Sequence, residues 1–264
     1  MSTPLHITTY NGYYDATLLL LQSGADPNKR DRLGFCAIHL ASINGYKLIV
    51  EELLRYGVHI DIEIDPDFSI YSADDGDVDW DTSIHLAILN GHTKLVKYLI
   101  QQGANVNICN FRKITPLHVA IHEKSEKIIR LLLKHKANIH KTSDSPYGYT
   151  VYSPLACAIR DDSMHIVRIL LQYRKTKRDI RNAIILAVRY GNVNICKYLL
   201  DKKGADVNTI DVMGRSLLHN AVIQHKPSYN VIKLLVDRGA NIQAKNSEGK
   251  TPIQISNRIK TLLR

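Results

Sequence analysis

The sequence predicts an all-α solenoid of stacked helix–turn–helix repeats, and three observations carry that prediction. A six-residue stretch, Thr115-Pro116-Leu117-His118-Val119-Ala120, is echoed along the whole 264-residue chain. Clear echoes are Thr3-Pro4-Leu5-His6, Cys36-Ala37-Ile38-His39-Leu40-Ala41 and Thr82-Ser83-Ile84-His85-Leu86-Ala87. Weaker ones are Ser153-Pro154-Leu155-Ala156, Asn182-Ala183-Ile184-Ile185, Ser216-Leu217-Leu218-His219 and Thr251-Pro252-Ile253-Gln254. Secondly, the apolar third positions (Leu5, Ile38, Ile84, Leu117, Leu155, Ile184, Leu218, Ile253) are 33, 46, 33, 38, 29, 34 and 35 residues apart, a base period near 33. Thirdly, each echo is followed by branched apolar pairs at helical spacing. A fixed period in this range marks supersecondary units that bury a shared core only by stacking.

Within a repeat, each element has a local reason. In residues 82–114, Thr82 can cap the first helix by accepting a backbone N–H. Sister repeats place Pro4, Pro116, Pro154 and Pro252 at the first helical position, where the missing donor costs nothing. Ile84, Leu86, Ala87 and Ile88 face the neighbouring repeats. Asn90-Gly91 stops the helix, as do Asn11-Gly12, Asn44-Gly45 and Tyr190-Gly191. A second helix follows with Leu95, Val96, Leu99 and Ile100 on one face. Gly103-Ala104-Asn105-Val106-Asn107 then leads into an extended finger, matched by Gly24-Ala25-Asp26-Pro27-Asn28, Gly204-Ala205-Asp206-Val207-Asn208 and Gly239-Ala240-Asn241-Ile242-Gln243.

This conjunction resembles the ankyrin repeat over essentially the whole chain. The resemblance implies about seven full helix–turn–helix repeats plus a partial eighth, with β-turn fingers and a concave face made of fingers and first helices. It also implies that the histidines at the fourth position (His6, His39, His85, His118, His219) hydrogen-bond between neighbouring repeats. The chain departs from the pattern at Lys124 and Asp162, which replace the inter-helix glycine, and at Lys136, where a helix-ending glycine belongs. Repeat five ends Gln172-Tyr173-Arg174 without a Gly-Ala exit, and the seventh gains about two residues at Lys226-Pro227. The expected organisation is a single array over 1–264, with irregular finger insertions at about 62–80 and 141–152.

Composition narrows the function classes. With 45% apolar and 23% charged residues, the chain is ordinary globular material. It has no apolar run of 18 residues, so no membrane span is expected, and it enters a repeat at once, so no cleavable signal is expected. The cysteines Cys36, Cys109, Cys157 and Cys196 lie 39 to 73 residues apart and read as isolated intracellular thiols. Residues 1–132 hold 12 Lys/Arg against 16 Asp/Glu, a net of −4; residues 133–264 hold 23 against 9, a net of +14. That polarity bears on partners and solubility rather than on fold.

No catalytic constellation is present: no phosphate-cradling glycine loop, no nucleophile elbow, no HExxH. His118 and His122 are four residues apart on one helix, but nothing at helpful spacing completes a metal site, so neither a metal nor another cofactor is expected. The candidate sites lie in the irregular fingers. Residues 61–81 carry nine carboxylates and no Lys or Arg. The acidic residues Asp65, Asp67, Asp74, Asp75, Asp77 and Asp79, with Phe68, Tyr71 and Trp80 as apolar anchors, would suit a Lys/Arg-rich partner. A solvated loop and loose calcium binding are the other readings of this segment, although an EF-hand starting at Asp77 fails at Thr82 and Ile88. A second finger offers Tyr147, Tyr149 and Tyr152 as rigid contact area. A third, in the shortened 29-residue step, is basic: Arg174, Lys175, Lys177, Arg178 and Arg181. It would serve as a solvated loop, a nuclear import signal or a nucleic-acid contact. Asn28, Asn107 and Asn208 each have a leucine eight residues upstream (Leu20, Leu99, Leu200), which resembles the pattern modified by asparaginyl hydroxylases.

The function expected is therefore a non-enzymatic protein-binding scaffold, monomeric in isolation, acting through its concave face and fingers on an unidentified protein partner. The alternatives are an adaptor in a ubiquitin-ligase or host-pathway assembly, and nucleic-acid contact through the basic half, which is disfavoured. The expected compartment is the cytoplasm, and a nuclear role or delivery into a host cell is compatible with the same features.

Overall fold

The computed structural model describes residues 2–65, 82–110, 112–143, 152–173, 176–224 and 228–255. It divides into two compact units, Met1–Pro154 and Leu155–Arg264. Both are stacks of antiparallel helical pairs, so the all-α solenoid class stands.

In the first unit the pairs are α1 (Pro4–Tyr10) with α2 (Tyr14–Gln22), α3 (Ala37–Ile43) with α4 (Lys47–Arg55), α5 (Ser83–Leu89) with α6 (Thr93–Gln101) and α7 (Pro116–His122) with α8 (Glu126–Lys134). First helices stack on first helices and second on second. The second unit contains α9 (Pro154–Arg160), α10 (Met164–Tyr173), α11 (Lys177–Tyr190), α12 (Val193–Lys203), α13 (Leu217–Ile223), α14 (Tyr229–Asp237) and α15 (Pro252–Ile255). There α11, α13 and α15 stack in one row and α10, α12 and α14 in another. Seven helical pairs and a partial eighth repeat are thus present among the described residues. The periodic third positions from Leu5 to Leu218 are all buried, as the shared core requires.

The five fourth-position histidines tie this core together. In each, Nδ1 accepts the backbone N–H of the cap residue three positions earlier: Thr3 at 3.2 Å, Cys36 at 3.0 Å, Thr82 at 3.3 Å, Thr115 at 3.2 Å and Ser216 at 3.1 Å. That contact places the proton on Nε2, which reaches into the adjacent finger. His6 donates to the Phe35 carbonyl (3.0 Å), His39 to Ile62 (2.9 Å), His118 to Tyr152 (3.1 Å) and His219 to Lys250 (2.9 Å). His85 makes the corresponding backbone hydrogen bond to Ile114. One ring therefore closes a helix N-terminus and fixes a neighbouring finger, the role that the resemblance implied.

The three positions that lack the pattern's glycine keep its backbone. Lys124, Lys136 and Asp162 have φ of 51°, 65° and 48°, so the turn demands the left-handed conformation even of a side chain that reaches it with strain. At Gly45 the demand is also steric, because a Cβ there would lie 2.6 Å from the His92 ring, whose Nε2 hydrogen-bonds the Ile43 carbonyl at 2.7 Å.

Two expectations are corrected. The basic segment is not a shrunken finger from Lys177 onward: Lys177, Arg178 and Arg181 lie in α11, which is 14 residues long against 7 for α1, α3, α5 and α7. The cause is a capping box. Asp179 accepts the Thr176 N–H (3.1 Å) and hydroxyl (2.7 Å), and its own N–H donates to the Thr176 hydroxyl (3.1 Å), which starts the helix more than a turn early. The acidic insert also begins later than residue 62. Ile62 accepts from His39, Glu63 pairs antiparallel with Thr82, and Ile64 is buried with Phe35 and Leu86. A deletion of 62–80 therefore removes packed residues, Ile64 among them.

Candidate partner-binding surface

Four fingers share one local design, which the repeat pattern did not reveal. An Asp or Asn at the finger base turns its side-chain oxygen onto the backbone of the tip. Asp31 accepts the N–H groups of Leu33 (2.8 Å) and Phe35 (3.0 Å), Asp211 those of Met213 (2.9 Å) and Arg215 (3.0 Å), and Asn246 those of Glu248 and Lys250 (both 3.0 Å). Asn110 accepts from Ile114 at 2.9 Å. Three residues on, Gly34, Lys113, Gly214 and Gly249 adopt positive φ and close the turn. The signal was available: Asp31-Arg32-Leu33-Gly34, Asp211-Val212-Met213-Gly214 and Asn246-Ser247-Glu248-Gly249 are turn sequences of the Asx type.

Finger exits form a second ladder. The Asp61 carboxylate accepts the Asn105 N–H (3.1 and 3.2 Å), Asn107 Oδ1 that of Asn138 (2.7 Å) and Asn208 Oδ1 that of Asn241 (2.9 Å). Asn107 and Asn208, candidate modification sites by sequence, are therefore rungs between consecutive repeats, and Asn28 is exposed at the exit of the first.

The remaining predicted site residues divide sharply. Asp67, Phe68, Tyr71, Asp74, Asp75, Asp77, Asp79, Trp80, Tyr147, Tyr149, Arg174 and Lys175 lie outside the described residues. Asp65 serves the insert's base: its N–H donates to the Gly34 carbonyl (3.2 Å) and its carboxylate lies 3.6 Å from Arg30 Nε. Arg30 Nη1 also donates to the carbonyls of Gly34 (2.9 Å) and Glu63 (2.8 Å), so one guanidinium clamps the insert to the preceding finger. Tyr152 is half-buried, and its backbone pairs with Ser143 at the base of the tyrosine finger.

Arg181 is brought onto a finger. From α11 it donates through Nε and Nη2 to the Ile210 carbonyl, at 3.3 and 2.9 Å. In the same finger Asp211 is buried, with Oδ2 accepting Arg215 Nε (2.8 Å) and Asn220 Nδ2 (3.2 Å). Arg189 of α11 donates to Asn220 Oδ1 (2.9 Å) and places Nη2 3.7 Å from Asp211. Burial alone would raise the Asp211 carboxyl; hydrogen bonds from the backbone and side chain of Arg215, with those of Met213 and Asn220, outweigh it and hold the group below its ordinary value. Sequence reasoning named the entry of this finger at Gly204-Ala205-Asp206-Val207-Asn208, and Arg181, but not the cluster of Asp211, Arg215, Asn220 and Arg189 that shapes its turn.

Titrating groups elsewhere are structural. Burial lowers His39, His85 and His118 to about 4, which keeps them neutral at pH 7. Burial pushes the Cys157 thiol up to about 11 and that of Cys196 to about 12, so neither is a thiolate near neutrality. His122, the other half of the i, i+4 pair, is exposed and bonded to Glu123 at 2.9 Å, while both ring nitrogens of His118 are engaged in the fold. Among the described residues no group of three or more His, Cys, Asp or Glu side chains is placed to hold a metal ion, and no helix is long and apolar enough to cross a membrane.

The comparisons with known proteins agree with this architecture. The family description "Ankyrin repeats (3 copies)" matches residues 1–64, 68–143 and 142–211, and "Ankyrin repeat" matches 213–247. The mouse B-cell lymphoma 3 protein homolog is 30% identical over 264 residues, 99% of this chain and 42% of that protein. The human transient receptor potential cation channel subfamily A member 1 is 27% identical over 252 residues, 94% of this chain and 19% of the channel. The chain thus spans less than half the length of either relative. The crystal structure of the ankyrin repeat domain of Bcl-3 superposes with a TM-score of 0.57 at 24% identity, covering 100% of this chain and 98% of that one. At that identity it speaks to the fold. With family matches over most of its length, this chain belongs to the ankyrin repeat family.

Proposed function

We propose that this chain is a non-enzymatic protein–protein interaction module, which presents its fingers and first helices to a partner protein. The observation that carries the reading is the division of labour in the first finger. Its base is fixed by the buried His6 and the Asp31 Asx turn, while its tip, at Leu33 (59% exposed), points apolar surface at solvent. A segment already ordered in the free protein loses little conformational entropy on binding, so more of the contact energy becomes affinity. Family membership supports the same reading, although ankyrin arrays occur in proteins as different as a lymphoma protein homolog and a cation channel, so the partner must be argued from the surface.

The test is affinity capture from a lysate, read by quantitative mass spectrometry. Wild type is compared with a chain in which 66–81 is replaced by a short Gly-Ser link, leaving Ile64, Asp65 and Thr82 in place. The reading expects saturable protein partners, reduced by substitutions at finger tips and untouched by substitutions on the outer face of the second helices. Absence of any saturable partner would overturn it.

A further inference from the structure

The finger that joins α12 to α13 holds up an apolar tip. Val212 is 101% exposed, Met213 56% and Ile210 49%. A single exposed apolar residue is ordinary, but three within four residues on one ordered turn form a patch. The corresponding tip pair of the next finger, Ser247-Glu248, is polar. The turn itself is held by Asp211, Arg215, Asn220 and Arg189, as described above, so its apolar side chains are displayed on a stiff support without contributing to it.

The helix that reaches this finger, α11, is cationic in its first turns. Lys177, Arg178 and Arg181 are exposed at i, i+1 and i+4 on α11, and Arg181 grips the finger through Ile210. With Arg189 and Arg215 this makes five cations on α11 and the finger against three carboxylates, each occupied: Asp179 caps α11, Asp206 accepts the Asn208 N–H and Asp211 shapes the turn. The adjoining finger packs alongside, since a Cβ on Gly214 would lie 3.3 Å from the Ser247 nitrogen, and it brings Lys245 and Lys250 against a single Glu248.

We propose that Val212 and Met213, flanked by Lys177, Arg178 and Arg181, form a docking site for an acidic segment of a partner protein that carries an apolar anchor side chain. The proposal rests on the protein-binding reading and deepens it by giving the partner's chemistry. Burial of the anchor against Val212 and Met213 supplies the dry centre, and the cationic rim orients the acidic flanks. A nucleic-acid strand suits the site less. Arg181, Arg189 and Arg215 direct guanidinium donors at Ile210, Asn220 and Asp211, and the tip offers aliphatic side chains where a strand would use aromatic rings for stacking.

The experiment is selection of a random peptide phage library on the full chain, followed by fluorescence anisotropy of the selected peptides and of labelled oligo-dT. The expected peptides combine Asp/Glu with an aliphatic or aromatic anchor. Their affinity falls about tenfold or more in Val212→Asp/Met213→Asp and, independently, in Lys177→Glu/Arg178→Glu, and it falls with added salt. Circular dichroism and the urea midpoint verify that both variants fold; all four side chains are exposed, so both should be unchanged. Selection of basic or purely apolar peptides, of none, or of peptides indifferent to both variants would overturn the site. So would oligo-dT binding more tightly than any peptide and being lost in the Lys177/Arg178 variant. If partners are captured from lysate while this selection fails, the protein-binding reading stands and only this site falls.

Discussion

Acidification should unfold the first unit well above the pH at which carboxylates protonate. His39, His85 and His118 are 0%, 0% and 6% exposed, and burial lowers each from 6.5 to about 4. Protonating such a ring costs its desolvation, and it also sets an Nδ1 proton against the cap N–H that Nδ1 now accepts. Because the folded-state value is depressed, the unfolded chain binds more protons between pH 6.5 and 4. Stability is therefore complete above about 6.5 and is lost as the pH falls through that window. At pH 5 linkage gives about 2 kcal/mol per histidine, or about 6 kcal/mol for the three. That is comparable to the whole stability of a typical domain, about 5–15 kcal/mol. Hydrogen exchange with mass spectrometry, corrected for intrinsic rates, can be run on the full chain at pH 7.5, 6 and 5. Exchange should rise in α3–α8, where these three rings close helix N-termini, while the Asp211 cluster of the second unit keeps its charge until the pH nears the ordinary carboxylate value of 3.8. Unchanged protection of α3–α8 down to pH 5 would refute the reasoning, as would an unaltered pH slope in His85→Gln.

Other consequences concern the packing. Lys124→Gly and Asp162→Gly should each stabilise the chain by about 0.5–1 kcal/mol, the left-handed strain relieved less the entropy glycine adds to the unfolded state, read as a rise in Tm of about 2 °C. Gly45→Ala should lower Tm, since φ of 73° disfavours alanine and its Cβ would meet His92 at 2.6 Å. Ile64→Ala should cost about 3 kcal/mol in urea denaturation, because Ile64 is 1% exposed at the base of the insert. Deleting 62–80 should lower the urea midpoint by about the Ile64→Ala amount or more, since it takes Ile64 with it.

Much of the fold was legible in the sequence, because repetition turns weak local signals into one strong one. The histidine bridges are what the ankyrin resemblance implied for the fourth position, whereas Lys124, Lys136 and Asp162 read as departures from the pattern and yet keep its left-handed turn. The parts that were not legible are those where a local rule outweighed the period. Thr176 and Asp179 form a capping box that was written in the sequence, but the repeat marker at Ile184 drew the helix start too late. Ile62 to Asp65 read as the head of an acidic insert because their charges match it, while alternation places Ile62 and Ile64 inward. The Val212–Met213 tip carries no charge run or aromatic cluster to draw notice, and its exposure is a property of the turn that Asp211 builds.

The central claim, that fingers fixed by the core bind a protein partner, is tested most directly by a footprint. Hydrogen exchange of the full chain, alone and saturated with a captured partner, would be compared segment by segment. The account predicts added protection at finger tips, foremost 209–216, and in the first turns of α11, with the second helices unchanged. Protection confined to the outer faces of α4, α6, α8 and α12, with the fingers unchanged, would contradict it.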